Sequence, residues 1–426
     1  MRQTPPNRAG TCVKARTAAA AMLAIAALAL LVKGPSGCGG PQERAADFRP
    51  AKYTGVPSVR VLLTSEPVAR AEIAASAGYT LSAGRGAIAG SDRALAPSAV
   101  ALDGDGWRVG GVHASPVELT LECRSGRVEL GGKPYRGSLR LLPVGQGRFI
   151  VVNHLDMESY LAGVLARELY PNWSVETYRA QAIAARTFAM YQVMTAGKSA
   201  DYDLGSTQAS QVYGGASAET QRSWQAVRAT HGQVLAWGSF GHERIFLAQY
   251  SSCCGGRTNP ASVIRFAEDI PPLRGGQVCT GCAASSRYRW GPVRIRKTDL
   301  YTALGASYSA VAGLGGIAQL KVASQNEYGR IVWVDVIGPN RELVRLRAED
   351  VRLSLLKSSI PAAQQLYSAN CSIRDAGHSI EFYDGRGYGH GVGMCQWGAE
   401  YLAANGASHE QILSFYYPQA KIFQSY

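Results

Sequence analysis

The sequence predicts an α+β fold with a β-rich N-terminal part, a helical hairpin and a mixed α/β C-terminal part. Three patterns carry that expectation. Short alternating or apolar runs broken by glycine and turn residues occupy the region from Ser58 to about Asn153, which is how strands read. Residues His154 to Met194 then carry apolar side chains at helical spacing across one short break. Beyond Ala218, helical and extended patterns are interleaved up to a glycine-dense segment near the C-terminus. With 46 % hydrophobic and 18 % charged residues, the 426-residue chain has the composition of a globular protein rather than a disordered one. Its formal charge of +13 implies attraction to polyanions such as nucleic acid, anionic headgroups or anionic cell-wall polymers. No RNP-like, zinc-finger or basic-helix pattern is present, which argues against nucleic acid.

In chain order, Arg2, Arg8, Lys14 and Arg16 precede an apolar run from Ala18 to Val32, the layout of an export signal. The run is shorter than the roughly 20 residues of a spanning helix, which favours cleavage over a permanent anchor. Ser36-Gly37-Cys38 has the small residues and cysteine of a lipoprotein processing site, although Pro35 stands where leucine is preferred. Residues 1–38 are therefore expected to be a signal peptide or lipoprotein signal, and 39–57 a Gly/Pro-rich linker. Residues 58–426 are expected to form the working domain of an exported, membrane-associated protein.

Strands are expected at 59–63, 117–122 and near 128, 137 and 148. The first helix ends where Pro171 cannot continue the backbone ladder. Ser174 is placed to cap the second helix, with Glu176 in its first turn. That helix carries Ala180, Ala182, Ala184, Ala185 and Ala189 around Arg186, small residues that let another element approach. After a polar loop at 201–215 come a helix over 218–230 and strands at 233–236 and 245–250. A glycine turn follows in Ser251-Ser252-Cys253-Cys254-Gly255-Gly256. A short helix at 298–305, two strands around the turn 326–329, and two C-terminal helices complete the pattern. The first of those last helices stops at Asn405-Gly406, and the second starts on the capping-box pair Ser408 and Gln411.

Two places concentrate chemistry. Glu168 lies on the apolar stripe of the first helix, seven residues after Leu161 and four after Val164. A carboxylate turned toward a core has its charged form disfavoured and its pKa raised, as a general acid requires. Its other reading is an acid in the last helical turn that looks into a solvated groove. Glu158 on the same helix is about 15 Å away by helical rise, beyond the separation of paired glycosidase acids, so this helix supplies one acid. The second place is Gly385 to Gly398, with six glycines in fourteen residues around His390, a density that marks tight turns or close approach.

Cys279 and Cys282 with Cys253 and Cys254 have the residues for a four-thiolate zinc site, but an exported protein favours disulfides among them. Seven cysteines in the body leave at least one thiol unpaired within the chain. No Gly-x-Ser-x-Gly elbow is present, His390 lacks a metal-ligand array, and Cys395 near His390 falls where a helix starts.

Residues 160–189 (YLAGVLARELYPNWSVETYRAQAIAARTFA) and 385–418 (GRGYGHGVGMCQWGAEYLAANGASHEQILSFYYP) together resemble the SpoIID/LytB family. PYRGSLRLLPV, QVYGG and SSCCGGRT lie in the matching order, so the resemblance spans most of 58–426. It implies a lytic transglycosylase that cleaves peptidoglycan strands stripped of stem peptides. One acid protonates the glycosidic oxygen, and the muramic acid 6-hydroxyl closes a 1,6-anhydro ring. The resemblance places Glu168 as that acid and base. It places Arg186, Gln211, Tyr213, Tyr250, Ser251, Ser252 and His390 around the substrate. The enhancer branch of the family implies an alternative, a non-catalytic wall-binding partner of a cell-wall amidase.

The sequence departs from its relatives in two places. Some members hold zinc through His and Cys in the loop before Gln211-Val212-Tyr213, but here that loop is DLGSTQAS, so zinc is disfavoured and no other cofactor is expected. Leu169-Tyr170 stands where methionine directly before proline is usual. A sporulation role does not follow from the sequence.

Overall fold

The computed structural model describes residues 54–426 except 198, 209 and 265–267. The expected signal at 1–38 and all but the end of the 39–57 linker lie outside the described residues. Among those described, no helix is long and apolar enough to cross a membrane.

The β-rich part is two sheets that share one core. The larger has seven strands in the order Leu204–Gly205, Ser58–Leu62, Arg148–Asp156, Ser138–Gly145, Leu119–Cys123, Tyr79–Ala83, Gly86–Ser91. The six-stranded second sheet is built around Arg70–Ala75 and Leu95–Asp103. Alternation does the sorting: Val59 and Val61, Leu119 and Leu121, and Leu139 and Leu141 point inward from the first sheet, against Ile73, Val100 and Trp107 from the second. Strand Arg148–Asp156 is buried on both faces, because Ile150 and Val152 pack with Leu142 on the far side. It runs directly into helix α1 (Met157–Glu168), whose first turn is fixed by the Asp156 carboxylate accepting from the Ser159 amide at 2.8 Å.

Helix α2 (Val175–Ala196) is the wall between two cores. Its Ala182, Ala185 and Ala189 face the sheet core, whereas Ala180, Ile183 and Ala184 face a second cluster with Leu235, Phe246, Met394 and Ile412. A helix buried on both sides shows no clear amphipathic stripe, and small side chains let its neighbours come close. Ser174 precedes this helix but does not cap it with its own side chain. Glu400 does the work instead: its carboxylate accepts from the Ser174 amide and hydroxyl at 2.9 and 3.0 Å and from the Thr177 hydroxyl at 2.6 Å. A full negative charge suits the positive end of a helix better than a hydroxyl does.

Helix α3 (Gln221–Ala229) begins on a Thr220/Ser223 capping box. The run 245–250 is not one strand: Arg244–Ile245 pairs with Gln233–Trp237, whereas Tyr250–Ser251 pairs in parallel with Met394–Cys395. The chain changes partners midway, and so cannot keep one ladder.

Residues 293–382 form a unit with its own core, including Leu300, Val334, Val351 and Phe382. It holds helices α4 (Lys297–Ser307), α5 (Ser309–Ala312) and α6 (Ala348–Lys357) and two three-stranded sheets. The chain ends with α7 (Gln396–Ala404), α8 (His409–Tyr416), which carries the expected Ser408/Gln411 capping box, and strand Lys421–Gln424 beside Gln233–Trp237.

Candidate functional site

Glu168 is the last residue of α1; the chain turns extended at Leu169, so its side chain stands at an exit rather than inside the helix. It is partly buried. Oε1 accepts from the Val212 amide at 3.0 Å and Oε2 from Gln396 Nε2 at 3.2 Å. Loss of water raises the carboxyl pKa, and the two hydrogen bonds lower it by less, so the net direction is upward. Both donors are neutral amides. Among the described residues, no cation is hydrogen-bonded or ion-paired to the carboxyl.

The surrounding side chains reinforce that state. Tyr160 donates to Gln211 Oε1 at 2.9 Å, and Gln211 Nε2 donates to the Tyr250 hydroxyl at 2.9 Å and to the Ala185 carbonyl at 3.2 Å. Burial and the Glu168 charge push the phenols of Tyr160 and Tyr250 well up, so both stay neutral. Gln211 is only 1 % exposed and organises this chain of hydrogen bonds from behind. Gln396 also points Nε2 toward Gln181 Oε1 at 3.5 Å; Gln181 Nε2 and the buried Ser251 hydroxyl have no hydrogen-bond partner among the described residues.

His390 is held by the glycine turns around it. Its Nδ1 accepts from the Val392 amide at 3.0 Å, so the neutral ring carries its proton on Nε2. Burial pushes its pKa down to about 4 against the opposing pull of Glu349. Behind it, Arg330 donates to the Gly389 carbonyl at 2.8 Å and pairs with Glu349, whose pKa is lowered to about 2 by Arg352 and Arg330 against the cost of burial. The inserted unit thus clamps the glycine-rich motif. Gly389 has φ +97°, and a Cβ there would approach Ser251 Cβ at 3.0 Å. Gly393, at φ +67°, would drive a Cβ to 1.9 Å from the Gln249 carbonyl. The Ser252 carbonyl accepts from the Trp397 amide at 3.1 Å, tying the serine turn to the start of α7.

Two expected substrate contacts sit elsewhere. Arg186 is 0 % exposed and spends its guanidinium on Glu158 (2.9 and 2.7 Å) and on the Gln233 carbonyl at 3.1 Å. It is a core ion pair, because the small neighbours that admit another element admit α3 and the Gln233 strand rather than a sugar. Tyr213 is buried against Tyr135 and Tyr160, with its hydroxyl on Asn153 Oδ1 at 2.9 Å. Gly163 makes the room, since a Cβ there would lie 2.7 Å from the Tyr213 ring. The expected cross-links are also absent: no disulfide joins any of the seven described cysteines.

The sequence reading missed Gln396, the Val212 amide and an aromatic edge. Tyr170, Trp173 and Trp397 pack with ring centroids 5.1, 5.6 and 5.2 Å apart, and Tyr170 is 48 % exposed. The available signal was adjacency: Tyr170 follows the Glu168 helix and Trp397 follows Gln396.

The family profile described as "Stage II sporulation protein" (SpoIID) matches residues 145–237, which contain Glu168 and the Gln211–Tyr213 loop. An uncharacterised protein of Brachyspira hyodysenteriae is 31 % identical over 312 residues, covering 73 % of this chain and 78 % of its own. Stage II sporulation protein D of Bacillus subtilis is 26 % identical over 311 residues, 69 % of this chain and 82 % of that protein. The Amidase enhancer of Bacillus subtilis is 26 % identical over 332 residues, 69 % of this chain but only 44 % of that protein. The chain belongs to the SpoIID/LytB family.

Proposed function

We propose that the protein is a lytic transglycosylase of the cell envelope, acting on peptidoglycan glycan strands that lack stem peptides. The observation that carries this is the partly buried Glu168 carboxyl, oriented by two neutral amide donors and pushed toward its protonated form. Glu168 gives its proton to the glycosidic oxygen, and the bond from that oxygen to the muramic acid anomeric carbon breaks. The sugar's own 6-hydroxyl bonds to the same carbon and returns its proton to Glu168. One carboxyl serves both steps, and no second acid is needed. The Tyr170–Trp173–Trp397 edge, with Tyr170 exposed, suits the apolar face of a pyranose. The basic charge of +13 suits an anionic wall.

The test is release of 1,6-anhydro-muramic products from purified sacculi and from enzymatically denuded glycans, read by mass spectrometry. Wild type should release them and Glu168→Gln should not; equal release from both removes Glu168 from the chemistry. A non-catalytic role is favoured by the likeness to the Amidase enhancer. In that case neither form yields anhydro product, and both stimulate a cell-wall amidase equally.

A further inference from the structure

We infer that Cys254, Cys279, Cys282 and Cys395 bind a structural zinc ion as a closed tetrathiolate site. Their four Sγ atoms lie within 4.8 Å of one another, and all four residues are buried. A tetrahedral ion with zinc–sulfur bonds of about 2.3 Å requires its sulfurs to stand about 3.8 Å apart. Cys254 and Cys282 Sγ are 3.7 Å apart, at the edge length of that tetrahedron. Cys279 and Cys282 supply a C-x-x-C pair, and the other two ligands come from the glycine turn and from the end of the glycine-rich motif. Cys253 is not the fourth ligand: the cluster takes Cys395 in its place.

The surroundings are those of thiolates. The Cys254 amide donates to Cys395 Sγ at 3.3 Å, and the Tyr416 hydroxyl lies 3.2 Å from Cys279 Sγ. Such donors stabilise anionic sulfur and orient it. Gly398 keeps the space open, since a Cβ there would come within 2.3 Å of Cys279 Sγ. Soft sulfur in a tetrahedral array selects zinc or iron. Four sulfurs this close together leave space for one ion and none for a cluster of several irons. With every position taken by thiolate there is no open coordination site, so the role is structural. The ion joins three segments far apart in sequence. Cys395 immediately precedes Gln396, the residue that holds Glu168 Oε2.

The test uses the full chain purified without chelator. Metal analysis should give one zinc per chain. Denatured protein should release that zinc and show all its thiols to a thiol reagent without prior reduction. Cobalt substitution should give the intense thiolate charge-transfer and tetrahedral ligand-field bands of four-sulfur coordination. Cys279→Ser and Cys395→Ser should reduce bound zinc to background, whereas Cys253→Ser and Cys371→Ser should keep it. Because a ligand variant can fail to fold, the cobalt spectrum of wild type stands independently of the variants. Iron in place of zinc, no metal with free thiols, or a mass and thiol count showing two disulfides among these residues would each overturn the inference.

Discussion

Glu158 and Glu168 stand at the two ends of α1, both largely withdrawn from water, and their partners differ in kind. Glu158 meets a buried guanidinium on two sides, the hydroxyl of Tyr426 and, at 3.4 Å, the Gly232 amide. Glu168 meets only a backbone amide and a side-chain amide. What separates the two glutamates is the presence of a cation beside Glu158 rather than depth of burial, and only the Glu168 carboxyl is pushed toward its protonated form. The same contrast explains why Arg186 is no substrate ligand: its charge is consumed where the fold needs it.

Exchanging each acid for its amide breaks this comparison most sharply. Glu168→Gln should cost about 10²- to 10⁴-fold in glycan cleavage while leaving the melting temperature unchanged or raised. The sign follows from the raised carboxyl pKa: the folded state prefers the protonated acid, so ionisation at neutral pH subtracts stability that a neutral amide restores. Glu158→Gln should do the reverse. It leaves Arg186 buried and unpaired, at a cost of about 3–5 kcal/mol in urea unfolding, and Glu158→Gln with Arg186→Met should recover most of it. A stabilised Glu158→Gln would contradict a structural role for the Arg186–Glu158 pair.

What the sequence made legible follows from which interactions are local. The N-terminal strands, the two helices and their break, and the capping box at Ser408 all depend on near neighbours and were read correctly, whereas the run 245–250 was not, because its two ends pair with different strands. Helical spacing put Glu168 on the stripe with Leu161 and Val164 but left open whether it faced the core or a groove at the helix end, where the structure places it partly buried. The Gln396 contact joins positions 168 and 396, which no periodicity connects. Arg186 shows the opposite failure. The family resemblance put this residue in the cleft, but the close approach its small neighbours permit admitted an ion pair. Likewise the hydroxyl expected to cap α2 was displaced by a carboxylate from α7. The cysteine cluster was half visible, since C-x-x-C is local and Cys395 comes from a remote turn.

His390 tests whether the glycine-rich motif is, like the Glu168 site, a neutral one. Its pKa is depressed from 6.5 to about 4. Unfolded chain therefore takes up a proton that the native state refuses, and stability should fall as pH drops from about 6.5 toward 4, by up to about 3 kcal/mol. His390→Gln should flatten that part of the stability–pH curve; an unchanged slope would place the titration elsewhere. A smaller effect is expected at the aromatic edge. Trp397→Ala should raise KM for denuded glycan by about tenfold, the scale of 1–2 kcal/mol for a lost aromatic contact, with kcat changed less. Equal loss in kcat and kcat/KM would mean that Trp397 acts through Gln396 and not through the sugar.

The finest test concerns the two amides themselves. If they position Glu168 while opposing its protonation only slightly, removing one should raise the carboxyl pKa further, because each favours the ionised form. Gln396→Leu deletes the 3.2 Å donor to Oε2 and keeps the Val212 amide on Oε1. The basic limb of the kcat/KM profile, where a general acid is lost as pH rises, should move to higher pH. A neutral hydrogen bond contributes about 0.5–1.5 kcal/mol, so the displacement should be no more than about one pH unit, with a loss of rate from poorer orientation. A limb that moves to lower pH would show that Gln396 had been holding the proton on Glu168, and would reverse the role given to the amides. A limb that stays fixed would assign it to a group other than Glu168. Only the upward shift keeps the distinction between the two ends of α1 as one of charge partners.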